Sequence, residues 1–103
     1  MMPLHSKKKV EIVVEAARQA AIVQMVEAEG ATGYTVVPQV HGMGRRGVRD
    51  EAHVSDVFRN VMIIVVTDGD TAGRIVAAAQ PLLENYAGIV LVSDVQVVRD
   101  DHF

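Results

Sequence analysis

The spacing of apolar residues changes along the chain, and each change marks an element. Positions 10–14 form a short β-branched run bounded by charges, which predicts a buried central strand. From 16 to 29, Ala17, Ala21, Ile22, Met25, Val26 and Ala28 recur at intervals of three and four. Arg18, Gln19, Gln24 and Glu27 take the other face, so the segment reads as an amphipathic helix, and Gly30 supplies its stop. Tyr34, Thr35, Val36, Val37 and Val40 predict a second strand within 33–42, interrupted or on an edge near Pro38. The continuous apolar run 61–66 is the strongest strand signal, with both faces expected to be covered. Asp70 or Thr71 is the expected cap of a second helix through Ile75, Val76, Ala79, Leu82 and Leu83. Pro81 must kink that helix or begin its last turn, and 85–88 ends it. Positions 89–92 and 95–98 read as a final strand region broken by Ser93 and Asp94. Two segments carry no period: 1–9, with three consecutive lysines, reads as a solvated flexible end, and 42–55 reads as a long loop.

The resulting order, β, α, β, loop, β, α, β, implies an α+β fold: a ferredoxin-like βαββαβ sandwich, an antiparallel sheet with two helices on one face. The other face of the sheet is left rich in Val and Ile. Such a patch is too large to leave open on a monomer, so copies of the chain are expected to pack through it.

Composition narrows the function classes. The chain has 103 residues, half of them hydrophobic, enough for one compact core and too few for two, so 1–103 reads as a single domain. It holds no cysteine, which excludes disulfides and thiolate metal sites, and no secretory signal is evident; a cytoplasmic location is the expectation. No apolar run approaches the roughly 20 residues needed to span a bilayer, so no membrane insertion is expected. A formal net charge of −3 argues against nucleic acid as the main partner.

The chemistry concentrates in one stretch, His41, Gly42, Met43, Gly44, Arg45, Arg46 and Gly47, followed by Arg49. Glycines let backbone N–H groups approach an anion, and guanidinium forks match phosphate oxygens in pairs. The same cluster also fits an arginine-bearing hairpin tip. It is not a P-loop, because no Gly-Lys-Ser or Gly-Lys-Thr ends it, nor a dinucleotide fingerprint, because no helix follows directly.

Thr32, Gly33, Tyr34, Thr35 and Val36, followed by Gly42, Met43, Gly44 and Arg45, resemble the two motifs that open and close the second strand of the PII signal-transduction family, at the base of its mobile T-loop. Lys8, Lys9, Val10 and Glu11 resemble that family's first strand, 61–66 its third, and Asp94, Val95, Val97, Val98 and Arg99 its last. The resemblance implies a homotrimer with a nucleotide in clefts between subunits. Adenine and ribose contacts would fall to Val13, Gly33, Thr35 and Val65 or Val66, with Gly88 beside them; Gly42, Gly44, Arg45 and Arg99 would meet the phosphates. The T-loop would span about 44–57, and nucleotide binding would order it.

Two departures set this chain apart. The family's glycine- and lysine-rich B-loop is missing between the second helix and the last strand, where only Asn85, Tyr86, Ala87 and Gly88 stand. Fewer phosphate contacts favour ADP or AMP over ATP. The T-loop is short and lacks the tyrosine that accepts uridylylation. The pattern is similar to the divergent PII-like subgroup linked to inorganic carbon uptake and carboxysomes. It implies adenine-nucleotide sensing coupled to bicarbonate, with Arg45, Arg46 or Arg49 as the anion's partners and a transporter or other carbon-uptake component as the protein target.

Two rivals share the element order. Acylphosphatase is an enzyme with a glycine and arginine phosphate loop, but its loop follows the first strand, whereas Arg45 here follows the second. A metal-responsive trimer of the divalent-cation-tolerance family would need ligands, and His5, His41, His53 and His102 form no recognisable ligand pair. The acidic neighbours Asp50 and Glu51, and Asp68 and Asp70, read as solvated or helix-capping, so no catalytic residue is expected.

Overall fold

The structure is a computed structural model that describes residues 3–40, 42–44, 47–49, 59–101 and 103. The chain runs β1 (His5–Glu15), a 3-10 turn (Ala16–Arg18), α1 (Gln19–Ala28), β2 (Thr35–Val40), β3 (Gly42–Gly44), β4 (Gly47–Arg49), β5 (Asn60–Thr67), α2 (Gly69–Leu83) and β6 (Gly88–Val97). Four strands form one sheet in the order β2-β5-β1-β6, each neighbouring pair antiparallel; β3 and β4 pair as a separate hairpin. This is the βαββαβ order and sheet expected from the sequence.

Strand alternation explains how the sheet acquires two unlike faces. Val10, Ile12 and Val14 of β1 and Val61, Ile63 and Val65 of β5 are buried beneath the helices, together with Ile22 and Val26 of α1 and Ala72, Ile75 and Ala79 of α2. The alternate positions, Val13, Met62, Ile64 and Val66, lie half-buried on the opposite face, where Ile89 and Leu91 are exposed. The expectation that β5 is covered on both faces therefore fails within one chain, because both helices return to the same side. Along the 3-10 turn and α1 the buried stripe is also narrower than the sequence pattern suggests: Ala17, Ala21 and Ala28 are exposed.

Local chemistry corrects several boundaries. The lysine-rich segment is no flexible end: His5–Lys9 belongs to β1, and its lysines find carboxylates brought near by the fold. Lys8 pairs with Asp94, Lys9 Nζ lies 3.9 Å from Glu11 Oε2, and Lys7 Nζ lies 2.6 Å from Asp100 Oδ1. Ser93 and Asp94 do not break the last strand; they pair in register with Lys9 and Lys8, and β6 is continuous. The cap of α2 is Asp68, whose Oδ1 accepts the Thr71 N–H at 2.7 Å, rather than Asp70 or Thr71. Pro81 falls in the last turn, and the proline on β2 sits where the register with β5 shifts, beside Gln39 at φ 58°. Gly30, at φ 106°, ends α1, and Arg74 of α2 reaches back to donate to the Glu29 carbonyl at 3.2 Å. That contact ties the end of one helix to the start of the other.

Within the expected long loop 42–55, Gly42–Gly44 and Gly47–Arg49 form a hairpin in which Gly44 pairs with Gly47. Arg45, Arg46 and 50–58 lie outside the described residues. Among the described residues no helix is long and apolar enough to cross a membrane.

Candidate functional site

Antiparallel pairing brings two of the expected contact residues together. Val14 stands opposite Gly88 and Val13 opposite Ile89, at the start of β6. A Cβ on Gly88 would lie 2.9 Å from both the Val13 carbonyl oxygen and Leu83 Cδ2, and 3.2 Å from Val14 Cγ1. Gly88 is thus demanded by the packing of β6 on β1 and α2. Thr35 lies on the same open face as Val13, but opposite Ile64 of β5, so that one strand separates the two within a single chain. Gly33 stands in the connection before β2 with open space around it. Val65 is only 1 % exposed, so its side chain belongs to the core, whereas its alternative Val66 is half-buried on the open face.

The phosphate-side residues are described unevenly. Gly42 and Gly44 are placed by backbone pairing in the β3–β4 hairpin, where Gly42 stands opposite Arg49. Arg45 and Arg46 lie outside the described residues. Arg99, just beyond β6, is 73 % exposed, and its Nη2 lies 3.7 Å from Asp101 Oδ2, so any anion it meets must displace a weak local ion pair.

The segment after β6 folds back along the start of β1. Lys7 holds Asp100 and also lies 5.9 Å from the Phe103 ring centroid. The hydrogen bond from Lys7, and then its charge, keep the Asp100 carboxyl below its ordinary pKa. A carboxylate depressed in the folded state stabilises above its unfolded pKa, about 3.9, and that contribution is lost as pH falls through the lower folded value. Acidification below about pH 4 should therefore release this segment from β1, seen as a loss of Lys7 to Asp100 and Lys7 to Phe103 contacts by NMR. Contacts that persist unchanged to complete protonation would contradict it.

The sequence pattern missed one feature. Arg18, read as part of a solvated helix face, is half-buried, with its guanidinium carbon 3.6 Å from the Tyr86 ring centroid. Its Nε is buried without a hydrogen-bond partner. The stack fixes the short α2–β6 turn against the start of α1. Beside that turn, Val76, Gln80, Leu83, Glu84, Val90 and Val92 line an open groove between α2 and the edge strand β6. Among the described residues no group of three or more His, Asp or Glu is placed to hold a metal ion.

Comparisons with known proteins give this arrangement its context. The family model described as nitrogen regulatory protein P-II matches residues 7–102. No curated protein matches the chain. Among solved structures, CPII, a nitrogen regulatory PII-like protein from Thiomonas intermedia bound to ADP, AMP and bicarbonate, is 29 % identical. It superposes with a TM-score of 0.89, the match covering 96 % of this chain and 94 % of that one. A PII-like signalling protein from Thermus thermophilus is 34 % identical, with a TM-score of 0.79 and 94 % of each chain covered. The ATP complex of GlnK from B. subtilis is 23 % identical, with a TM-score of 0.64 over 87 % of this chain and 82 % of that one, and it shares the fold alone. The strand order, the open sheet face, the glycine hairpin after β2 and the match over residues 7–102 together place this chain in the P-II family, as a divergent PII-like member.

Proposed function

We propose that the chain is a cytoplasmic regulatory protein, without catalytic activity, that binds an adenine nucleotide in the clefts between subunits of a homotrimer. ADP or AMP is preferred over ATP. The observation that carries this reading is the likeness over nearly the whole chain to CPII, whose structure holds ADP, AMP and bicarbonate. The fold supports it: Val13 and Thr35 share an open apolar face but are separated by β5, so a pocket using both faces of one cleft draws on neighbouring copies. Gly42, Gly44, Arg45 and Arg99 would meet the phosphates. With only 84–87 between α2 and β6, none of them cationic, contacts to phosphate are few, and a shorter phosphate chain fits them better.

The whole of 1–103 acts as one domain, and the segment about 44–57 is its signalling T-loop, ordered by the nucleotide to present a partner surface. Arg45, Arg46 and Arg49 are the candidates for holding bicarbonate beside the nucleotide. A transporter or another carbon-uptake component is the protein target this supports. P-II membership favours this reading over the acylphosphatase and metal-responsive alternatives.

Calorimetric titration with ATP, ADP, AMP and cyclic AMP, with and without bicarbonate, tests it. ADP or AMP should bind more tightly than ATP, and bicarbonate should change that affinity. Absence of any binding sinks the nucleotide reading, and an affinity indifferent to bicarbonate sinks the coupling alone.

A further inference from the structure

The open face of the sheet carries a pair of charges near its centre, among Ile64, Val66 and Leu91; the pair's neighbour in the same row of β1, Lys7, is already held by Asp100, and Thr35 and Ser93 are neutral. Glu11 lies in register between Ile64 of β5 and Leu91 of β6, and Lys9 lies between Val66 and Ser93. Both side chains are already largely withdrawn from water, at 22 % and 34 % exposure. Their separation of 3.9 Å is an ion pair but too long for a hydrogen bond. Covering this face with a purely apolar partner would strip water from both charges and give nothing back, a costly outcome. A second copy of the chain differs, because it presents one cation and one anion of its own.

We infer that Lys9 of one copy pairs with Glu11 of the next, so that a closed ring of alternating charges fixes the register in which the open faces meet. This rests on the trimer reading above. In a ring each subunit offers one donor and one acceptor, and every charge finds a partner only in the correct rotation. The apolar residues around the pair drive association without specifying its register. The pair selects one arrangement among those that bury similar area, the best-attested use of a buried polar group.

Charge reversal tests the pairing, and mixing the two single variants separates it from the contact within one chain. Lys9→Glu and Glu11→Lys each place like charges together, and each should raise the dissociation constant of the assembly at least about tenfold, measured by light scattering over a dilution series. The double variant Lys9→Glu/Glu11→Lys should return to within about threefold of the wild-type value, since its pairs are restored in reverse. An equimolar mixture of the two single variants should assemble more tightly than either alone, because unlike chains then supply opposite charges. Circular dichroism of each variant confirms that the fold is intact. Single variants that assemble like wild type, a double variant as weak as the singles, or no gain on mixing would each overturn the inference while leaving the trimer standing. A wild-type chain that is monomeric throughout the series overturns the trimer itself, and the ring with it.

Discussion

Replacing Ile63 by alanine should destabilise the fold by about 2–5 kcal/mol, the range for truncating a large buried aliphatic side chain. Ile63 is fully buried at the middle of β5, paired with Ile12 of β1 and Val36 of β2, and its side chain belongs to the core that includes Ile22 and Ile75. It stands where three strands and both helices converge, so no single element can move in to fill the space. Against a total of about 5–15 kcal/mol for a domain of ordinary stability, such a loss is decisive. Urea denaturation at two protein concentrations measures it, the second concentration separating subunit folding from assembly. A loss below about 1 kcal/mol would mean that the site collapses freely and that β5 is not the centre of the core.

Gly88→Ala should cost about 1–3 kcal/mol, as expected for overpacking. Leu83 could turn its Cδ2 aside, but the Val13 carbonyl is backbone, and a Cβ 2.9 Å from it forces the start of β6 away from β1. That displacement reaches the adjoining turn, where Tyr86 stacks on Arg18. The variant also separates two roles of the glycine. If Gly88 serves only to leave room for a ligand, Gly88→Ala will keep wild-type stability in denaturation and lose ligand affinity alone. If packing demands it, stability falls in the absence of any ligand, which is the result expected from these contacts.

The core strands and both helices are legible in the sequence because their signal is local: β-branched runs at 10–14 and 61–66, and periodic apolar positions from Ile22 to Val26 and from Ile75 to Ala79. The errors arise where the deciding partner lies far along the chain. Three adjacent lysines look solvated until Asp94 and Asp100 arrive beside Lys8 and Lys7. Arg18 looks like a solvated helix residue until the turn holding Tyr86 folds beneath it. The cap of α2 is ambiguous in the sequence for a different reason: Asp68 and Asp70 both suit the role, and only the point at which β5 ends selects Asp68. Of the candidate site, the sequence motif located the glycines of the hairpin after β2, while the burial of Val65 and the packing of Gly88 depend on strand facing and on contacts with α2 that no motif encodes.

Native mass spectrometry of the protein in the presence of ADP reads assembly and ligand together. The account predicts a trimer carrying ADP up to one molecule per subunit, with free monomer holding none, because the cleft needs two copies. A monomer that binds ADP by itself, or a trimer that takes up neither ADP nor AMP, would contradict it.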